Sequence, residues 1–205
     1  YRRQRQMCIR DSIGAYFFLG GVSGGSGLLA AGAQAVGNAP LRRTTRISAF
    51  GAAAVGSVFL ILDLGRPERA LNMFRFFKVT SPMSMGSWIL SGFASAAALP
   101  AAAEVDAATG HKLPLPKFVR TALKKSAGPA GAVAGVLGGP LAGYTAVLLS
   151  NTSNPVWNDM KKHLPYVFVS SAGAASSGLA MVTTPVEHAG PARALGMAAA
   201  ASDLA

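Results

Sequence analysis

The stretch GPAGAVAGVLGGPLAGYTAVLL, residues 128–149, decides the fold class of this 205-residue chain. It lies inside a window, 126–158, that contains no charged residue. A helix needs roughly 20 mainly apolar residues to cross a hydrocarbon core of about 30 Å, and this window is longer than that. The stretch is therefore predicted to be a transmembrane helix.

Further charge-free windows indicate that the whole chain is a membrane protein. They cover residues 12–41, 47–62, 79–103 and 163–186. Only 13% of the chain is charged and 51% is hydrophobic, which disfavours a soluble globule. We predict an all-α, polytopic integral membrane bundle with five transmembrane helices and the start of a sixth near Ala194. The five predicted spans are at about 13–36, 47–64, 83–103, 129–149 and 164–184.

The two ends of the chain differ from these spans. Residues 1–12, YRRQRQMCIRDS, carry four arginines without an apolar region, and they resemble translated sequencing adapter. We expect 1–12 to be a non-native leader and 13–205 to be a single transmembrane domain. The small-residue run that begins at Ala194 ends abruptly, so we expect this domain to be truncated at its C-terminus.

The net charge of +11 indicates membrane topology rather than nucleic-acid binding. The basic residues lie between apolar spans, and no aromatic and basic stripe accompanies them. We name the membrane face where the first span begins side A and the opposite face side B. The predicted side B loops, of which 104–126 is the most hydrophilic, contain nine Lys and Arg residues, whereas side A loops contain six. The positive-inside rule then makes side B cytoplasmic, in a multi-pass protein of the plasma (inner) membrane.

The chain offers few ligands for a redox metal. Cys8 is the only cysteine, which excludes a disulfide framework and a cysteine-ligated iron–sulfur cluster within the chain. His111, His163 and His188 are all at or beyond predicted span ends, whereas a transmembrane haem uses histidines inside the helices. We predict no haem and no metal in this chain, and a solvated His163.

Glycines recur every four residues in two of the predicted spans. They are Gly131, Gly135, Gly139 and Gly143 in the fourth span, and Gly20 with Gly24 in the first. Such faces are typical of close helix packing, although a flat glycine face also leaves room for a ligand ring. Pro140 removes one backbone hydrogen bond in the fourth span.

A charged segment, DLGRPERALNMFRFFK at 63–78, separates the second and third spans. Over 67–78 its polar and apolar residues fall on opposite sides, which predicts a short helix lying in the membrane interface. Its acids, Asp63 and Glu68, are candidates for a polar pocket on side A. Four polar residues are candidates for docking a partner: Arg66, Arg69, Asn72 and Arg75. In the simpler interpretation, these charges neutralise one another and anchor the segment.

Two tyrosines are predicted near side A. Tyr16 lies in the first turn of the first span, and Tyr144 lies one turn beyond Pro140 in the fourth. An interfacial aromatic belt explains Trp157 well but Tyr144 poorly, because Tyr144 lies within its span. A ligand contact is the second interpretation of Tyr144.

Four motifs carry a resemblance to a known family. They are AYFFLGGVSGGS at 15–26, DLGRPERALNM at 63–73, TSPMSMGSW at 80–88, and GYTAVLL at 143–149 with NPVWN at 154–158. In order and spacing they resemble the polysulphide reductase NrfD family, the membrane subunits of molybdopterin oxidoreductase complexes. The resemblance covers 13–201, and its most specific motif is the second.

The resemblance implies a haem-free helical bundle that exchanges electrons between a membrane quinone and an iron–sulfur partner subunit. It implies menaquinone or ubiquinone bound near side A, and a molybdopterin catalytic subunit in the same complex. Tyr16, Gly20, Pro140 and Tyr144 are the implied quinone-binding residues. Asp63 and Glu68 are then expected to accept the protons that quinol oxidation releases.

Two other functions stay open from the residues alone. A transporter or channel would use the glycine faces as a path and Pro140 as a helix break. A purely structural membrane anchor would dock soluble subunits through 63–82 without any response to quinone.

Overall fold

The computed structural model describes residues 11–63, 82–110, 116–150 and 159–204, and within these ranges all regular structure is helical. The described α-helices are α1 (Asp11–Val36), α2 (Ala39–Asp63), α3 (Pro82–Ala108), α4 (Lys117–Ser150), α5 (Leu164–Thr183) and α6 (Gly190–Asp203). Two 3₁₀ turns, Met160–Lys162 and Val186–His188, precede α5 and α6. The predicted all-α fold class is confirmed.

Four of these helices are long and apolar enough to cross a membrane. The qualifying stretches are Ala39–Leu62 of α2, Ser84–Ala108 of α3, Lys117–Val147 of α4 and Leu164–Thr183 of α5. α1 has 26 residues, a length of about 39 Å at 1.5 Å per residue. It packs against α2, α4 and α5, which makes it the central helix of the described bundle. The chain is a helical membrane bundle, as predicted, with four described helices apolar enough to span where five were expected; α1 is not among the four.

A tight link joins α1 to α2. Gly37 has a φ of 75°, the left-handed conformation in which glycine commonly ends a helix. Asn38 then caps α2, because its side-chain Oδ1 accepts a hydrogen bond from the Leu41 amide at 3.3 Å. Two residues between the helices leave α1 and α2 as antiparallel neighbours.

Three helices extend further towards side B than the uncharged windows predict. α2 begins at Ala39 instead of about 47, α3 ends at Ala108 instead of about 103, and α4 begins at Lys117 instead of about 129. The expectation of a loop across 104–126 is therefore wrong for 104–108 and 117–126. The buried or partly buried charges on these helix ends form ion pairs across the bundle: Arg42, Arg46, Glu104, Asp106 and Arg120.

Glycines bring α1 and α4 together backbone to backbone. A Cβ atom on Gly138 would overlap the carbonyl oxygen of Gly24, and a Cβ atom on Gly135 would lie 2.5 Å from the Ala31 Cβ. Close packing through small residues is thus confirmed for this pair of helices. The predicted face is only partly the one used, since a Cβ on Gly139 would meet nothing within 4 Å.

Hydrogen bonds at side B tie the α1–α2 link to the α5–α6 link. Asn38 Nδ2 donates to the carbonyl oxygen of His188 at 2.9 Å. The hydroxyls of Thr44 and Thr184 lie 2.7 Å apart. α6 therefore starts at a fixed place, beside the start of α2, and packs along α5.

Candidate functional site

Tyr16 is buried near the side A end of the bundle. Its side chain is 6% exposed and belongs to a core cluster shared by α1, α2, α3 and α4. It lies beside Gly56 of α2, where a Cβ atom would come within 3.6 Å of the tyrosine Cδ2. Its ring centroid is 5.9 Å from that of Phe17. Tyr16 is thus a core residue and not an interfacial aromatic.

Tyr144 packs against the same cluster from α4. Its ring covers Gly86 of α3 so closely that a Cβ atom there would overlap the ring carbons. Tyr16 lies five residues from the side A end of α1 and Tyr144 six residues from that of α4, so both are about 8 to 9 Å inside their helix ends. The structure therefore brings these two predicted site residues into one cluster at one depth.

The other two predicted quinone-binding positions, Gly20 and Pro140, lie one turn deeper than the tyrosines and differ in exposure. Gly20 is buried one turn below Tyr16, and a Cβ atom there would meet nothing within 4 Å. Pro140 is exposed on α4, which continues through it without a break.

A pocket of about 250 Å³ lies at the same end of the bundle, between α1, α4 and α5, and neither Tyr16 nor Tyr144 lines it. The rings of Phe17 and Phe168 meet edge to face there, with centroids 6.4 Å apart. Among the lining residues Ser171 alone has a polar side chain. The lining consists of Phe17, Phe18, Gly21, Ala142, Val167, Phe168, Ser171, Ala172 and Ala175.

This α1–α4–α5 pocket suits a flat, uncharged ring. Its walls are aromatic rings and small side chains, and no charged residue lines it. A pocket of this kind binds largely through apolar contact, with a few polar groups to orient the ligand. Phe17 directly follows Tyr16 on α1, whereas Ala142 and Tyr144, two residues apart, lie on nearly opposite faces of α4. The Tyr144 ring therefore faces Gly86 of α3 and not the pocket.

Several predicted site residues lie outside the described residues. Asp63 is the last residue of α2, at side A, but its side chain is outside the described part of the chain. Glu68, the interfacial helix at 67–78 and Trp157 also lie outside it. The same holds for the candidate docking residues Arg66, Arg69, Asn72 and Arg75.

A buried ionic cluster at side B was not predicted from the sequence. Arg46 of α2 is 6% exposed, and its Nη1 donates to Glu104 Oε1 of α3 at 2.8 Å. Its Nη2 donates to Gln34 Oε1 of α1 at 2.7 Å and to the Ala127 carbonyl of α4 at 3.2 Å. Arg42 Nε donates to the same Glu104 oxygen at 3.2 Å. One arginine therefore joins four helices.

A second ion pair lies beside this cluster. Asp106 of α3 is 2% exposed, and Arg120 of α4 donates to both of its carboxylate oxygens, at 2.8 Å from Nε and 3.3 Å from Nη2. The burial of Glu104 could have been predicted from the sequence. Phe93, Ala97 and Ala101 form the buried face of α3, and Glu104 continues that face at helical spacing.

Histidines and acids do not converge on a metal site in the part of the chain that the structure describes. No group of three or more His, Cys, Asp or Glu side chains could hold a metal ion there. His163 and His188 are both exposed.

Comparison with known proteins identifies one family. The family model described as "Polysulphide reductase, NrfD" matches residues 12–186, which is most of the chain. No curated protein and no solved structure matches the chain significantly.

Proposed function

The chain belongs to the polysulphide reductase NrfD family, and on that premise we propose that it exchanges electrons between a membrane quinone and an iron–sulfur partner subunit. The family makes it a membrane subunit of a polysulphide reductase-like oxidoreductase complex. The quinone is menaquinone or ubiquinone, and the complex includes a molybdopterin catalytic subunit. The complex is located in the plasma (inner) membrane, with side A facing outwards.

One observation supports this proposal: Tyr16, Tyr144 and the α1–α4–α5 pocket lie at the same end of the bundle. Tyr16 and Tyr144 supply neutral phenol groups there, and the pocket supplies aromatic walls. A quinone offers a flat ring with carbonyl oxygens that accept hydrogen bonds from such groups. Ser171 supplies the one hydroxyl group of the pocket lining, and the two tyrosines lie outside the lining at the same end of the bundle.

The size of the pocket favours the ring alone. Sites that enclose a whole small molecule measure about 300–1,000 Å³, and this pocket of about 250 Å³ is smaller. Phe18 and Val167 at its rim are 62% and 48% exposed. An isoprenoid tail would therefore leave over these two side chains into the lipid.

The residues of the chain have separate roles in this proposal. The Ser171 hydroxyl orients a ring held in the pocket, and Tyr16 and Tyr144 contact the quinone from the core cluster of α1, α2, α3 and α4. Gly20 and Pro140 shape the adjoining helix faces. Asp63 at the side A end of α2, with Glu68, takes up protons, because a carboxylate can act as a general base. The bound quinone supplies the two-electron chemistry, and electrons pass to the partner's cluster.

The region 63–82 is the proposed docking surface for the iron–sulfur subunit. Arg66, Arg69, Asn72 and Arg75 provide cationic and amide groups there, and the segment follows α2 at side A. Docking at this side keeps the partner's cluster close to the proposed ring site.

Binding of a quinone analogue to the complete protein, with and without its iron–sulfur partner, tests the proposal. Saturable quenching of protein fluorescence is expected, and Tyr144→Phe or Tyr16→Phe should weaken binding about two- to tenfold, the effect of one hydrogen bond. Tyr166→Phe is the matched control, because Tyr166 is near side A but 74% exposed. Absence of binding in both states would leave a structural anchor as the function.

The transporter alternative has less support from the site. Buried charged residues do occur, but Arg46, Glu104 and Asp106 are all engaged in ion pairs at side B. The pocket lies at the other end of the bundle and has no charged lining.

A further inference from the structure

α4 is much longer than a membrane requires. Its 34 residues span about 51 Å, against a hydrocarbon core of about 30 Å. The charge-free part of the helix starts at Ser126 and runs to Ser150, which is already long enough to cross the core. The first nine residues, Lys117 to Lys125, therefore project beyond the hydrocarbon on side B.

This projecting part of α4 is held in place by an ion pair. Arg120 binds both oxygens of Asp106 on α3, and Asp106 is almost fully buried. The ion pair thus joins the C-terminal end of α3 to the N-terminal end of α4. The lysines of α4 keep a defined position relative to the membrane surface.

The depth of these lysines follows from the ionic cluster. The Arg46 guanidinium contacts the Ala127 carbonyl, which places the head of that side chain near the level of Ala127. Arg43 and Lys124 each lie three residues further out on their helices, about 4.5 Å towards side B. Lys125 is at nearly the same level. Arg43, Lys124 and Lys125, here named the basic belt, are all exposed.

Negative charge near the basic belt is already neutralised within the described residues. Glu104 is bound by Arg42 and Arg46, and Asp106 is bound by Arg120. The one exposed carboxylate at side B among these residues is Glu187. The belt therefore presents an excess of positive charge immediately outside the hydrocarbon.

We propose that the basic belt binds the phosphates of anionic phospholipid headgroups in the side B leaflet. Phosphate groups of lipids lie within a few ångströms of the hydrocarbon boundary, at the level of Lys124 and Arg43. Lys and Arg near this surface attract anionic lipids individually, and their contributions combine. A soluble anion would not share this depth constraint.

The experiment uses the complete protein in lipid nanodiscs, with Ala122→Trp as a local reporter. Ala122 is exposed on α4, one turn outside Ser126. Fluorescence quenching is compared between brominated phosphatidylglycerol and brominated phosphatidylcholine, and the signal of protein without the reporter is subtracted. Stronger quenching by phosphatidylglycerol, decreasing at high salt, is expected.

Substitutions then assign the preference to the belt. Lys124→Gln with Lys125→Gln should reduce the preference for phosphatidylglycerol roughly fivefold for each lysine. Lys161→Gln with Lys162→Gln is the matched control, because it removes the same charge from exposed residues at side A. The conservative pair Lys124→Arg with Lys125→Arg should retain the preference and shows that the helix tolerates change there.

Three results would overturn the proposal. The first is equal quenching by the two lipids. The second is a preference that soluble glycerol phosphate abolishes at millimolar concentration, which would indicate a site for a free anion. The third is an unchanged lipid preference together with loss of a soluble subunit from the Lys124→Gln, Lys125→Gln complex, which would make the belt a protein-docking surface.

Discussion

The two ends of the bundle are built from opposite chemistries. At side A, Tyr16 and Tyr144 pack in the core cluster, and Phe17 lines a neutral pocket on the α5 side of the bundle. At side B, Arg46 and Glu104 fill the space between four helices with charge. Aromatic and small side chains can pack around a neutral cavity. A buried ion pair, in contrast, stabilises the bundle only while both of its partners are present. Side B is therefore expected to control stability, and side A to control ligand binding.

The largest effect is expected from removing the carboxylate at side B. Glu104→Ala leaves the buried Arg46 without a carboxylate partner, which should cost about 3–5 kcal/mol of unfolding free energy. Denaturant unfolding of the complete protein in detergent measures this loss. Glu187→Ala, at an exposed acid on the same side, should change stability by less than about 0.5 kcal/mol. Equal losses in both variants would mean that the ionic cluster does not hold the helices.

A smaller but local effect is expected from Gly86→Ala at side A. The new methyl group would overlap the Tyr144 ring and displace it, at a cost of about 1–3 kcal/mol. Quinone-analogue affinity and quinol-linked turnover should both fall. Gly92→Ala on the same helix is the control, because its Cβ would lie 3.6 Å from Leu137 Cδ1, an ordinary contact. If both variants bind the analogue equally well, Tyr144 has no part in the site.

A loss of activity without a loss of stability is expected from changing Asp63, the acid at the end of α2. Asp63→Asn is expected to lower quinol-linked turnover about 10²-fold or more, as removal of a positioned proton acceptor does. Its unfolding free energy should stay within about 0.5 kcal/mol of the original, since the residue ends its helix. Steady-state kinetics and unfolding of the same preparation test this together. Unchanged turnover would remove Asp63 from the proposed mechanism.

The smallest effect is expected from Arg42→Gln. The Arg42 side chain is 33% exposed, and exposed ion pairs contribute about 0–1 kcal/mol. Arg46→Gln, whose side chain is buried, should lose several times more stability in the same unfolding experiment. A similar loss from both variants would show that Glu104, and not the depth of the arginine, determines the effect.

Charge-free windows predicted the helices well where apolar sequence alone decides their bounds. The predicted fifth span, 164–184, agrees with α5 at Leu164–Thr183, because charged or helix-ending residues lie on both sides. The windows failed at side B, where a rule that counts charges cannot recognise ion pairs between helices. Glu104 was assigned to a loop although its spacing from Phe93, Ala97 and Ala101 continues the buried face of α3.

The candidate site was predictable in part. The sequence indicated two tyrosines near side A, and they do pack in one cluster. Tyr16 packs against Gly56, and the Tyr144 ring packs against Gly86. Both contacts join residues that are distant in sequence, so the sequence pattern does not predict them. The pocket also needs α5, and nothing in the spacing of α1 or α4 specifies that third wall.

The contact of Gly24 with Gly138 has a consequence for how the protein is made. These glycines are more than a hundred residues apart, so synthesis at about 5–20 residues per second separates their arrival by on the order of 5 to 25 s. During that interval the α1–α2 hairpin can form, but the face of α1 that contains Gly24 is exposed to lipid, because α4 is not yet present. Helices in a membrane associate after insertion, through close packing of this kind. Translation speed between α2 and α4 therefore sets how long an incomplete bundle is available to insertion factors and membrane proteases.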